Sequence, residues 1–249
     1  VFRELGIDMR VLVIRPEIQA MRTAQKLAAL GHEAVILPLM APMHDLHLAA
    51  DALKTSYWAL ALSSAEAVRC LQELGPTLEP YLDVPVFTVG RTTARAAQQA
   101  GFTNVNAAGG NGRDLAAMVA GYYAASGSPP QPLLYLAGIR RSGLFERTLA
   151  DNGLDCVSAE IYDMVEIYYP IEQQQALLVN APVDAVFFFS RENARAFFSL
   201  EVFQVSKDAL RKTLFFCLSR NIAEAVPEEF SNSAVISLNP DEDELIDLL

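Results

Sequence analysis

Basic residues are in deficit. The chain carries 19 lysines and arginines against 30 aspartates and glutamates, a formal charge of −11 at neutral pH. A phosphate backbone or an anionic membrane requires a basic surface, so neither is expected as a partner. No apolar run approaches the ~18 to 20 residues that span a bilayer. The charged opening, residues 1–10, lacks the apolar stretch of a signal peptide. Met9 is a candidate start, and residues 1–8 are left out of the fold argument. Only three cysteines occur, Cys70, Cys156 and Cys217, without CxxC spacing. An odd, scattered set excludes a disulfide framework and a zinc site and suits buried thiols in a reducing cytoplasm. Histidines are as scarce. His44-x-x-His47 has no third ligand near it, so no metal is expected. GxGxxG and GxxxxGK[ST] are both missing, which argues against a nucleotide cofactor. A Gly-x-Ser-x-Gly elbow and a Cys–His arrangement are missing too, which leaves nucleophilic catalysis without support.

What is present is apolar sequence in short, regular doses. Apolar residues make up 52% of the 249, enough for a sizeable core. Short apolar runs alternate with amphipathic segments, the pattern of parallel α/β sheets. Strands are predicted at 11–14, 34–37, 57–62, 86–89, 105–107, 133–137, 156–162, 185–189, 214–218 and 234–237. Pro16 suits the first position of a helix that Gly31 stops. Asn239-Pro240-Asp241 caps a last helix, and residues 126–130 (SGSPP) form the clearest loop.

An internal repeat orders these elements. Arg15 through Gly31 and Val35 parallels Arg140 through Gly153 and Val157. The 57–62 run followed by Ser63-Ser64 parallels 185–189 followed by Ser190. The run ending at Val89, then GRTTA, parallels the run ending at Leu218, then SRNIA. Residues 38–45 and 163–170 read as two crossings between lobes. One α/β domain is then continuous over 41–162, and the other combines 10–39 with 166–249, five strands in each. Ligands of open parallel sheets bind beyond the carboxyl ends of the strands, so two facing edges would form a cleft.

The turns at those ends share two chemistries. Hydroxyls recur at Ser63, Ser64, Thr92, Thr93 and Ser190, each placed to cap a helix, and Ser63 with Glu66 matches a capping box. A capped helix start with free amides is also an anion site. Arginines recur at Arg15, Arg91, Arg140, Arg141, Arg191 and Arg220, and a guanidinium grips a carboxylate with two parallel bonds. Gly109-Gly110-Asn111-Gly112 is either a flexible entry to a helix or a loop of amides for ligand carboxylates.

The segments VLVIRPEIQAMRTAQKLAALGHEAVILPL, ALSSAEAV, VFTVGRTTARAAQQAGF, LYLAGIRRSGLFERTLADNGLDCVSAEIY and VFFFSRENARAF, in this order, resemble the uroporphyrinogen-III synthase family. The resemblance covers nearly everything after Arg10. It implies two flavodoxin-like domains joined by a two-stranded linker, a cleft between them, a monomer, and no cofactor. It implies hydroxymethylbilane, a linear tetrapyrrole with eight carboxylates, as the substrate. Water leaves the hydroxymethyl group, ring D attacks through its substituted carbon to form a spiro intermediate, and reclosure inverts ring D. Tyr162 and Thr93 then become the candidate catalytic residues. Arg15, Ser63, Ser64, Gly90, Arg91, Thr92, Gly138, Arg140, Arg141 and Ser190 become the candidate substrate-binding set. Ser219-Arg220-Asn221-Ile222 departs from the family's usual Gly-x-Thr-Thr. The competing reading is a bilobed binder of organic anions or tetrapyrroles that performs no chemistry.

Overall fold

The computed structural model describes residues 8–127 and 129–249. Most of the opening segment set aside above, and Ser128 of the expected 126–130 loop, lie outside these residues. The strands, in chain order, are β1 (Arg10–Val13), β2 (Glu33–Ile36), β3 (Met40–His44), β4 (Ala59–Leu62), β5 (Val86–Val89), β6 (Val105–Ala108), β7 (Leu133–Gly138), β8 (Cys156–Glu166), β9 (Ala185–Phe188), β10 (Leu214–Cys217) and β11 (Ala234–Ile236). The helices are α1 (Glu17–Ala29), α2 (Leu46–Leu53), α3 (Ala65–Gln72), α4 (Gly90–Gln99), α5 (Gly112–Ala125), α6 (Leu144–Asp151), α7 (Ile171–Leu178), α8 (Arg191–Phe198), α9 (Val202–Val205), α10 (Arg220–Ala223) and α11 (Glu242–Asp247). Two compact units divide the chain: one takes the segment ending at Ala41 together with Val165–Leu249, the other Pro42–Met164.

The first unit holds a five-stranded sheet in the order β2-β1-β9-β10-β11, parallel at every pairing. The second sheet runs β6-β5-β4-β7-β8-β3. It has six strands rather than the expected five, because β3 adds to its edge. Asp45 N donates to Ile161 O (2.8 Å) and Ile167 N to Leu39 O (3.0 Å), so β3 runs antiparallel to the later part of β8. The other pairings in this sheet are parallel.

Sheet order gives the repeat physical meaning. If β1-α1-β2 corresponds to β7-α6-β8, and β9, β10 and β11 to β4, β5 and β6, the two sheets have one spatial order. Each sheet, however, takes its first two strands from one half of the chain and its other three from the other half. The halves have exchanged segments.

Central strands are buried on both faces, as expected of parallel sheets covered by helices. β4 and β9 bury every residue, and β7 buries all six of its own. Aromatic rings fill the first unit: Phe188 meets Phe197 edge-on at 5.5 Å and stacks on Phe215 at 6.0 Å. Leucines, alanines and Cys70 fill the matching layer of the second unit. α1 begins one residue later than expected, with Pro16 as its cap, since the Pro16 carbonyl accepts from Ala20 N at 2.9 Å. Asp241 caps α11 through Asp243 N and Glu244 N.

Cys70 and Cys217 are fully buried, and Cys156 is half-buried. Burial pushes the thiols of Cys70 and Cys217 up to about 12, with Glu73, Asp45 and Glu66 adding to the effect at Cys70. Unfolded thiols ionise near ~8.5. Because the folded values are raised, this contribution to stability is complete below that pH and is lost as pH climbs toward 12. We therefore expect the urea midpoint to stay level from about pH 7 to 8 and to fall steadily above about pH 9. The fall should be shallower in Cys217→Ala, whatever that variant's starting stability; equal slopes would contradict this account.

Candidate active site

β8, β7 and β4 are neighbours, and their carboxyl ends bring Tyr162, Gly138, Arg140, Arg141, Ser63 and Ser64 onto one edge of the second sheet. The β7–β8 register runs evenly from Leu133–Cys156 to Ala137–Glu160 and then shifts, so that Gly138 stands opposite Tyr162. Ile161 remains fully buried in the core. The Tyr162 ring lies directly over Gly138: a Cβ there would sit 2.7 Å from Cζ and 2.9 Å from the phenol oxygen. Any side chain at 138 would displace the ring. Burial raises the Tyr162 phenol above the usual tyrosine range. A hydrogen bond with Ser64 works the other way, Glu66 adds to the rise, and Arg69 and Arg141 oppose it.

The two serines divide their tasks. Ser63 Oγ and Tyr135 OH share a 2.6 Å hydrogen bond. Tyr135 is buried and pushed up to about 12 by that burial. Ser64, not Ser63, caps α3, accepting from Glu66 N at 3.0 Å. The capping box expected from Ser63 and Glu66 is therefore not formed. The buried Tyr135 phenol takes the Ser63 hydroxyl, and the Glu66 carboxylate points to His44 and Arg69.

One strand further along, Gly90 opens α4 at φ +72°, a turn that only glycine makes without strain. The chain passes so abruptly from β5 into α4 that Val89 is the cap and no side chain caps the helix. Thr92 and Thr93 lie inside the first turn instead of capping it, Thr92 exposed and Thr93 buried. At the end of β6 the glycine-rich segment is a capping turn, with Asn111 Oδ1 accepting from Arg113 N and Asp114 N.

The arginines differ in how freely they could meet a ligand. Arg141 is taken up by Glu146 (2.5 Å), Glu160 (2.7 Å) and the Gly138 carbonyl (2.9 Å). Arg140 is 56% exposed with a long contact to Asp163 at 3.4 Å. Arg91 is exposed and, among the described residues, pairs with no carboxylate.

Arg15 and Ser190 belong to the first unit, at the ends of neighbouring β1 and β9. Ser190 caps α8 by accepting from Asn193 N at 3.1 Å. Arg15 lies 3.9 Å from the centre of the Phe189 ring and bonds Glu242 (3.0 Å) and Thr23 (3.3 Å). Burial lowers its affinity for its proton, and Glu242 offsets part of that. Beyond β10 and β11, Ser219, Arg220, Ser237, Leu238 and Pro240 help line a cavity of about 390 Å³.

Sequence reasoning noticed His44 and Glu66 in other roles and passed over Glu73, but did not bring the three together. His44 Nε2 lies 2.9 Å from Glu66 and Nδ1 2.7 Å from Glu73. The available signal was the seven-residue spacing of Glu66 and Glu73 about Arg69, which puts all three on one face of α3. Among the described residues, no group of three or more His, Cys, Asp or Glu is arranged to hold a metal.

The fold and this edge define a class: α/β proteins of parallel sheets that meet their ligands beyond the strand ends. A family model described as uroporphyrinogen-III synthase HemD matches residues 21–247. The chain belongs to that family, lyases of haem biosynthesis that close hydroxymethylbilane to uroporphyrinogen III. A uroporphyrinogen-III synthetase from Helicobacter pylori is 16% identical, covering 97% of this chain and 98% of its own, with a TM-score of 0.67. A mutant uroporphyrinogen III synthase from Thermus thermophilus is 15% identical over 96% of both chains, with a TM-score of 0.56. At these identities the likeness is one of fold. A comparison with curated proteins gives no match. No described helix is long and apolar enough to cross a membrane.

The ring over Gly138 yields a prediction. Gly138→Ala should swing Tyr162 aside at modest cost in stability, since only the end of a side chain has to move. Formation of uroporphyrinogen III should fall as far as in Tyr162→Phe. Gly110→Ala, where a new Cβ meets nothing within 4 Å, should leave the rate unchanged.

Proposed function

We propose that this chain acts on hydroxymethylbilane through Tyr162 as proton donor, with the amides and hydroxyls of the second unit's edge and Arg140 and Arg91 holding the substrate's carboxylates. The two units serve as flavodoxin-like domains joined by the paired strands β3 and β8. They work as a monomer in the cytoplasm, without nucleic acid. In support, the first sheet's order, read by strand position, is 2-1-3-4-5, the flavodoxin order.

The observation that carries this reading is the Tyr162 phenol seated on Gly138 at the register shift between β7 and β8, with Ser64 acting on it. Its pKa is raised by burial, so at neutral pH it holds its proton and acts as an acid, not a base. As the hydroxymethyl C–O bond breaks, the phenol proton joins the departing oxygen and water leaves. The phenolate recovers a proton when the closing ring rearomatises. Ring D then has two carbons that could attack, and left to itself the bilane closes without inversion. Selecting between them requires orientation, which a rigid edge of amides, hydroxyls and arginines can impose. Thr93, buried in the first turn of α4, supports that turn, while Gly90, Arg91 and Thr92 face the ligand. Arg15 and Ser190 would contribute from the first unit, Arg15 only by exchanging Glu242 for a substrate carboxylate.

The test generates hydroxymethylbilane in situ, adds the protein, oxidises the products and separates the type I and type III isomers. Mostly type III, reverting to type I with boiled protein, is expected; type I alone would favour the binding protein without chemistry. Tyr162→Phe should slow type III formation by roughly 10²-fold or more, the scale of a lost general acid. Arg140→Ala should raise KM with kcat nearly unchanged and with little loss of stability, since its one ion pair is long and solvent-screened. A KM equal to that of the unaltered protein would remove Arg140 from the binding set.

A further inference from the structure

Next to Tyr162 stands a charged cluster that the proposed chemistry does not use. His44, on β3, points both ring nitrogens at carboxylates on α3, Nε2 at Glu66 (2.9 Å) and Nδ1 at Glu73 (2.7 Å). The ring is thus held at both nitrogens, between one carboxylate near the start of α3 and another just past its end. The His44 side chain is 10% exposed and that of Glu66 7%, so water competes little for this contact. Arg69 donates to the other Glu66 oxygen through Nε (2.9 Å) and through a terminal nitrogen. Both oxygens of Glu66 are therefore fixed, one by His44 and one by Arg69.

Two routes lead from this cluster to the phenol. Glu66 N donates to Ser64 Oγ at 3.0 Å, and the Ser64 hydroxyl in turn interacts with the Tyr162 phenol. A phenol oxygen that accepts from Ser64 keeps its own proton free to point at a substrate. The second route is through the backbone. Asp45, next to His44, donates N–H to Ile161 O at 2.8 Å, and Cys70 Sγ, next to Arg69, reaches the same carbonyl at 3.4 Å. The carbonyl just before Tyr162 is thus gripped from β3 on one side and α3 on the other, and His44–Glu66 ties those two elements together.

We propose that His44 and Glu66 are positioning residues that hold the Ser64–Tyr162 pair in its donating geometry. The inference rests on Tyr162 being the proton donor. Neither residue touches the substrate: both nitrogens of His44 are engaged, and Glu66 is enclosed by His44 and Arg69. Their effect passes through Tyr162 alone, and this separates positioning from a general role in folding.

The experiment is a double-mutant cycle on the full chain, read as kcat and KM for type III formation. His44→Gln keeps much of the bulk and can still bond one of the two glutamates, but not both. Alone, it should lower kcat by roughly tenfold, as expected when a reacting group is slightly misplaced, with KM unchanged. In the Tyr162→Phe background it should lower kcat no further. An equal loss in both backgrounds, or no loss in either, overturns the proposal while leaving Tyr162 as donor. If Tyr162→Phe alone is near normal, the assignment of the donor fails and this inference with it. Should His44→Gln not fold, Glu66→Gln carries the same cycle, because the amide preserves shape and can still accept from Arg69.

Discussion

The active edge depends on one close approach: an aromatic ring lying where residue 138 would otherwise carry a Cβ. Parallel strands in even register would turn residue 162 away from that position. The shift after Ala137 and Glu160 lets Ile161 stay in the core while Tyr162 turns onto Gly138. A bulge re-aims a side chain and is found next to active sites for that reason. The neighbouring details follow from it. Ser64 meets the phenol because it caps α3, and it caps α3 because Ser63 is taken by buried Tyr135.

Electrostatics then determine which arginines can meet an acid. A protein with formal charge −11 surrounds its cations with its own carboxylates. Arg141 and Arg15 are bonded in this way and stabilise structure, each holding a turn to a later helix or strand. Releasing Arg141 would strip Glu146 and Glu160 of their cation, and releasing Arg15 would break into the cluster that holds Glu242, both of which are costly. Arg140 is held only by its long contact to Asp163, and Arg91 pairs with no carboxylate among the described residues. A substrate with many carboxylates gains most from cations whose pairing does not first have to be broken.

Much of this was legible in the sequence. Apolar runs bounded by turn residues located the parallel strands within a residue or two, because burial on both faces leaves a continuous apolar signal. The repeat was legible for the same reason, and the turns it marked are those at the strand ends. What the sequence did not reveal depends on contacts distant in the chain. The addition of β3 to the second sheet, the cap at Ser64, the threonines inside the first turn of α4 and the cluster of His44 with Glu66 and Glu73 are each decided by a partner over 20 residues away or by a single backbone angle. Periodicity carries no record of such partners. His44 drew notice for its spacing to His47, a local feature, while its true partners sit on another element.

The two sheets also show how a duplicated edge comes to bear unequal chemistry. Arg15 and Arg140 follow corresponding strands, as do Ser190 and Ser64. In the first unit α11 places Glu242 against Arg15, with Lys26 and Thr23 completing a closed cluster. In the second unit the helix after the corresponding strand is α5, which packs on α6 and presents no carboxylate to Arg140. The strand that corresponds to β8 is β2, and the described sheet shows no register shift there to turn a phenol over glycine. An exposed arginine, a register shift and a tyrosine seated on glycine thus arise together in one copy of the repeat. The donor role proposed for Tyr162 needs only one such copy, so the other could close its arginine into structure without loss.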